Sequence, residues 1–290
     1  MPPGLLYVLV YSAEYALVAA GFSLVYRTGR VFHFAHGAVL TCGAYSLFAL
    51  HVLAGVPLLP AVPLALGLTS LVGAMVESIV YAPMRRKGAQ SLTLLVASLG
   101  TYVVLQNIIS LLFGDDTKQI AHGAAQGVNL LGTWLTVIHI TVLAAAALLL
   151  AGLAVLMRAT RTGKAMRAVA NDADLARVSG VDPERAALWA SLIAAALAGA
   201  AGMLLAVDVD VTPTMGMKPL MMGLVAGIVG GLGSVPGAAL GALVLGLAQY
   251  ACVWLLGSQW QDAGAFVILL VFLAVRPYGI LGAPLRRATV

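Results

Sequence analysis

The chain has 290 residues, 61% of them hydrophobic and only 9% charged, with a formal net charge of +5 and a mean hydropathy of +1.00. Soluble domains carry about 25% charged residues, so a water-soluble globule of this length is excluded. A β-barrel is excluded too, because the apolar runs are continuous rather than alternating; the remaining class is an all-α polytopic membrane protein.

Met1-Pro2-Pro3-Gly4 has no basic residue ahead of the first apolar run, so it does not read as a cleaved signal peptide. A membrane span needs roughly 20 apolar residues. Candidate spans lie at about 5–26, 37–55, 60–82, 91–113, 134–157, 187–207, 219–232, 236–256 and 262–276, which gives eight to nine transmembrane segments. The seventh is short and glycine-rich; it reads as a full span, a re-entrant piece or a broken helix. The whole chain, 1–290, reads as one transmembrane domain, since no loop is long enough to bury a core of its own.

Orientation follows from Lys and Arg. If all nine segments cross and the N-terminus is outside, Arg27, Arg30, Arg85, Arg86, Lys87, Arg158, Arg161, Lys164, Arg167, Arg177, Arg185, Arg276, Arg286 and Arg287 are cytoplasmic. Only Lys118 and Lys218 then lie outside, a split of 14 to 2. This asymmetry accounts for the basic residues without a nucleic-acid partner. The two cysteines, Cys42 and Cys252, sit in separate apolar runs, with neither disulfide nor metal-ligand spacing.

Residues 158–185 form a charged island that holds 10 of the 27 charged residues in 28 positions. A polar loop of this kind is ordinarily solvated. Here the pattern predicts folding: Thr160 or Thr162 caps a first short helix, Asp172 caps a second, and Gly180 is placed to end it. Asp182-Pro183-Glu184 then starts the next span with a cap, a first-turn proline and an acid at the positive helix end. Ala165, Met166, Val169 and Ala170 cluster on one side of the first helix while Lys164 and Arg167 point elsewhere, and the small residues Ala168, Ala176 and Gly180 predict a face that another protein can approach closely; Gly163, Arg167 and Asp172 join them as candidate coupling residues.

With those residues in view the sequence resembles the permeases of the branched-chain amino acid ABC importer family, of the LivH type. Arg167-Ala168-Val169-Ala170-x-Asp172-x3-Ala176-x3-Gly180-Val181 looks like the family's coupling loop. Phe34-Ala35-His36-Gly37-Ala38 resembles its early Asn-Phe-Ala-His-Gly motif, with His33 where Asn is usual. Pro83-Met84-Arg85-Arg86, Leu105-Gln106-Asn107, and the run Gly230-Gly231-Leu232-Gly233-Ser234-Val235-Pro236-Gly237-Ala238 match in the right order. The resemblance implies an amino-acid importer subunit that carries branched-chain or other hydrophobic amino acids. Urea, short amides and aromatic acids are the cargo alternatives within the family. It also implies a second permease as heterodimer partner, two ATP-binding subunits that use ATP-Mg, and an extracytoplasmic solute-binding protein. No cofactor is expected on this chain.

The glycine runs lack the Lys-Ser/Thr of a phosphate-binding loop, so no ATP site is expected here. Gly223, Gly227 and Gly231 fall four apart, which permits close helix packing. Gly230, Gly231, Gly233, Ser234, Pro236 and Gly237 read either as packing or as a break near the cytoplasmic mouth of a pathway. Gln106 and Asn107 either glue helices or line a polar route. His36 and Gly37 are expected to organise a loop by hydrogen bonds. Glu14 reads as a helix–helix hydrogen bond or a functional carboxyl, Glu77 as a partner of Arg85 or Arg86, and His139 as packing. No catalytic triad, HExxH or paired acid is present, so the chain is not expected to be an enzyme; a secondary transporter or channel is the rival of another class.

Overall fold

A computed structural model describes residues 5–120, 127–130 and 133–282. Met1 to Gly4, Arg286 and Arg287 lie outside the described residues. The helices are α1 Leu5–Gly29, α2 Ala35–Phe48, α3 Leu58–Val76, α4 Ala82–Arg86, α5 Ser91–Phe113, α6 Val137–Ala159, α7 Arg161–Asn171, α8 Ala173–Val178, α9 Pro183–Asp208, α10 Met217–Gly230, α11 Val235–Leu256 and α12 Gln261–Val275. Five-residue π-turns extend α2 (Ala49–Leu53) and join α3 to α4 (Glu77–Tyr81). Eight of the resulting helices are long and apolar enough to cross a membrane, and α10 is a shorter apolar helix. The chain is thus the expected all-α polytopic membrane protein. One departure is a hairpin of β1 Gly127–Leu130 and β2 Thr133–Thr136 just before α6. The fifth span therefore begins at Val137 instead of 134, because Trp134 and Leu135 pair across the hairpin with Asn129 and Val128.

At the centre α1 and α9 lie against each other, and small residues let them and their neighbours approach. A Cβ on Gly43 of α2 would run into the backbone of Gly199 in α9. Gly202 faces the carbonyl of Leu40, and Gly73 of α3 faces Ser191 and Ala195. Lipid tails give no hydrophobic drive between helices, so this close van der Waals packing carries the association. Glycines on the outer surface behave differently: Gly67, Gly100 and Gly152 have open space around the Cβ position.

Two helices begin inside the membrane. Gly21 lies eight residues before Gly29, the end of α1, hence about 12 Å back along that helix. The His36 ring sits directly on Gly21, so the chain turns back after Arg30 and α2 starts at depth. The other is α10, whose 14 residues span about 21 Å, less than the ~30 Å hydrocarbon core. A non-helical lead-in at 209–216, ending in a turn at 213–216, supplies the rest. Lys118 and Val211 exchange backbone hydrogen bonds of 2.9 and 2.8 Å at one end, and Arg27 reaches Gly233 at the other. The seventh segment therefore crosses as a short, unbroken helix with a non-helical lead-in. The two helix starts touch: a Cβ on Gly37 would lie 2.9 Å from the carbonyl oxygen of Gly216, and one on Gly216 would meet Gly37.

The packing repeats with inverted sense. Helix α1 lies on α10 and α11 as α9 lies on α2 and α3, while α2 packs on α5 as α10 packs on α12. Since α9 ends where α1 begins, with His139 bridging Tyr7 and Asp208, the two four-helix sets run in opposite directions through the membrane. This is an inverted-topology arrangement, with α6, α7 and α8 between its halves.

Two outcomes follow. Gly202→Leu should lose about 1–3 kcal/mol of stability to overpacking, read as a lower midpoint for loss of the monodisperse peak on heating in detergent, whereas Gly152→Leu should match wild type. For orientation, single cysteines at Thr117 and Ser179 in a background without Cys42 and Cys252 should differ. An impermeant thiol reagent added to intact cells should label only Thr117→Cys, and the opposite pattern would invert the topology.

Candidate functional site

The island folds as its caps require. The Thr160 hydroxyl accepts from the Gly163 amide at 3.0 Å, and Asp172 Oδ1 accepts from the amides of Asp174 and Leu175 at 3.0 and 2.9 Å. Asp182 Oδ1 takes the Glu184 amide at 2.9 Å with Pro183 in the first turn. Gly180 ends the unit at φ +85°. Gly163 is needed because a Cβ there would strike the backbone of Leu156 and Met157. Arg167 donates to the Met157 carbonyl, which pins α7 beneath α6. Arg86 grips Glu184 with two nitrogens, so α4 and the start of α9 are joined at the same end.

The outward face differs from the expected one. Met166, Val169 and Ala170 turn inward, and so does Ala176, which is only 5% exposed. Ala168 is half-buried. The apolar groups left open beside Gly180 are Leu175, 65% exposed, and Val178, 88% exposed. Sequence reasoning missed both, although their spacing of three on a capped helix was a usable signal. Ala176 serves the internal packing of the unit.

Residues 230–237 form a glycine turn. It starts where α10 stops: Gly231 adopts φ +105° and Gly233 φ +87°, values that residues with a Cβ rarely adopt. Ser234 caps α11 by accepting from the Gly237 amide at 3.1 Å. Pro236 falls in the first turn of α11, where its missing N–H costs nothing; it opens a helix and does not break one. Gly230 and Gly237 lie backbone to backbone, as do Gly241 and Ala226. Of the spaced glycines, Gly223 packs tightly on Val18 and Ala19, whereas Gly227 has ordinary clearance. The turn is held from two sides. Arg27 Nη1 donates to the Gly233 carbonyl at 3.1 Å, and the amides of Ile280 and Leu281 donate to the carbonyls of Val229 and Gly230 at 2.9 Å each.

The loop before α2 is organised by residues other than His36. A 2.7 Å hydrogen bond joins His33 Nδ1 to the Tyr81 hydroxyl. The Ser98 hydroxyl donates to the Phe32 carbonyl at 2.8 Å and accepts from the Phe34 amide at 3.2 Å. His36 instead fills space over Gly21, and Gly37 makes the contact with Gly216. On α5, Asn107 is exposed and its amide donates back to the Val103 carbonyl at 2.8 Å; Gln106 is half-buried. Asn107 therefore lies on an outer face and glues no helix of this chain. Glu14 is buried in α1. Glu77 pairs with Arg85, as one of its two expected partners, and accepts from Ser191 at 3.1 Å. His139 does more than pack: its Nδ1 closes a capping box with Thr136, and its Nε2 lies 3.2 Å from Asp208.

Known proteins resemble this chain along most of its length. The family model described as "Branched-chain amino acid transport system / permease component" matches residues 4–276. The Pseudomonas aeruginosa protein named high-affinity branched-chain amino acid transport system permease protein BraD is 32% identical over 95% of this chain and 94% of its own. LivH of Escherichia coli K12, with the corresponding name, is 31% identical over 94% and 92%, and the probable LivH of Methanocaldococcus jannaschii is 28% identical over 96% and 92%. A solved structure of PsaBC from Streptococcus pneumoniae in complex with Fab covers 93% of this chain and 91% of that one, with a TM-score of 0.52 at 11% identity, a likeness of fold alone. From the capped island to the glycine turn, this multi-pass inner-membrane chain belongs to the branched-chain amino acid transport system permease family.

Proposed function

We propose that the chain is one permease subunit of an ATP-driven importer for branched-chain amino acids. It pairs with a second permease, rests on two ATP-binding subunits that use ATP-Mg, and receives cargo from an extracytoplasmic solute-binding protein. The observation that carries this reading is the α7–α8 unit: a rigid, triple-capped element outside the hydrocarbon that leaves Leu175 and Val178 uncovered. Exposed apolar groups on a fixed element outside the membrane suit a protein partner. The relatives named as branched-chain amino acid permeases supply the cargo class.

The coupling role falls to Gly163, Arg167, Ala168, Asp172, Ala176 and Gly180 as the frame, with Leu175 and Val178 as the contact. The glycine turn is the moving part at the cytoplasmic mouth, and α5, where Asn107 is exposed and Gln106 half-buried, faces the pathway between the two permeases. His33, where the family pattern has Asn, does not favour urea, amides or aromatic acids as cargo: its ring is buried and spent on Tyr81. Glu77, held by Arg85 and Ser191, is not free to bind a coupling ion, which counts against a secondary transporter at that residue.

In a strain without its own branched-chain uptake, the chain expressed with its partners should import labelled leucine, isoleucine and valine. Loss of the ATP-binding subunits should abolish that import; import that survives their loss would refute the reading. Leu175→Glu with Val178→Glu should place charges on the contact and cut both uptake and recovery of the ATP-binding subunits with the purified permease by about tenfold. Membrane insertion should stay normal, and full recovery with full uptake would move the docking surface elsewhere.

A further inference from the structure

Arg30 is the sole non-glycine at positive φ among the described residues, at +55°. It follows Gly29, the last residue of α1, and its amide bonds the Tyr26 carbonyl at 2.9 Å. A glycine would take this αL position more readily. An arginine held there is a strained residue, and such strain persists where surrounding structure fixes it. From there the Arg30 side chain reaches α7, where Nη2 donates to the carbonyl of Ala170 at 3.3 Å. Ala170 lies in the last turn of α7, whose carbonyl end favours a cation. Three residues earlier on α1, the Arg27 guanidinium donates to Gly233. The Arg27 methylenes also fill the side of the turn, 3.1–3.3 Å from where a Gly233 Cβ would stand.

One short stretch therefore holds the docking unit with one hand and the glycine turn with the other. The stretch itself is stiff. Phe32 folds back on Tyr26 with ring centroids 4.8 Å apart, Val31 is fully buried, and Thr28 bonds the Leu24 carbonyl at 3.0 Å. A displacement of α7 has a contiguous packed route to residues 230–233 through this corner.

We propose that Arg27 and Arg30 are positioning residues that transmit movement of the α7–α8 unit to the glycine turn, so that they set coupling without touching cargo or nucleotide. This rests on the proposed function, since it needs an ATP-binding subunit beneath α7–α8. Both links end on main-chain carbonyls, which no substitution at Ala170 or Gly233 can remove. The direct way to remove them is to change the two arginines.

The test uses the complete transporter, with its partner permease, ATP-binding subunits and binding protein, reconstituted in proteoliposomes with labelled leucine outside. ATP turnover and leucine uptake are measured together. Arg30→Gly is the decisive variant, because it relieves the backbone strain while removing the link. It should assemble with a thermal midpoint at or above wild type and keep its basal ATP turnover within about twofold, yet lose about fivefold or more of the uptake per ATP hydrolysed, the lower end of common coupling energies. Arg27→Gln should show the same loss, and Arg30→Lys, which keeps a donor, should recover part of it. Unchanged uptake per ATP in both Arg30→Gly and Arg27→Gln would overturn the proposal. So would a lowered midpoint or lost ATP-binding subunits in Arg30→Gly, which would make the residue structural. If the wild-type assembly itself imports no leucine with ATP, the functional reading fails, and this proposal fails with it.

Discussion

Inside hydrocarbon every backbone N–H and C=O needs a partner from the protein, and non-helical backbone at that depth is tolerated only where protein covers it. This chain takes on that constraint twice, at residues 31–34 and 212–216, and the helices that follow the two stretches begin against each other. Gly37 and Gly216 bring the two helix starts into contact, while Ser98 supplies both a donor and an acceptor to the first loop. Such close approach needs α1 and α9 to be narrow, which is why alanine and glycine dominate where they and α2 and α3 meet. The rest of the fold, from the small-residue centre to the bulky outer faces of α3, α5, α6 and α12, is arranged around those two interruptions.

The inverted halves give the interruptions a shared logic. In each half the second helix is the one that begins inside the membrane: α2 in the first, α10 in the second. Their starts therefore meet from opposite sides of the membrane, and their positive ends point toward one region. The elements at the cytoplasmic end tie the halves together. Glu77 and Arg85 stabilise the π-turn of the first half, Arg86 holds Glu184 at the head of the second, and α7 and α8 fill the space between.

Much of this is legible in the sequence. Spans are readable because a bilayer demands about 20 apolar residues, and the three caps of the island are readable because Thr160, Asp172 and Asp182 satisfy amides only two or three residues away. What stayed hidden depends on partners remote in sequence. On a six-residue helix such as α8, whether Ala176 or Leu175 faces inward is decided by α7 and α9. Similarly, His33 and not His36 holds its loop because Tyr81 and Ser98 happen to stand there, 48 and 66 residues from their partners. His139 looked solitary because Asp208 lies at the end of a different span. The hairpin at 127–136 is too short to announce itself in a sequence dominated by helices.

The amides of Ile280 and Leu281 close the end of α10, and this has a consequence for the order of assembly. Val229 and Gly230 are buried, so their carbonyls wait for donors that are synthesised about 50 residues later. Until α12 has been inserted and the chain has doubled back, the second half of the protein holds a short helix with an unfinished terminus beside a turn of glycines. The end of α10 is thus among the last parts of the fold to be completed, and a chain that stops after Val275 but before residue 280 has every described span while the carbonyls of Val229 and Gly230 still lack these donors.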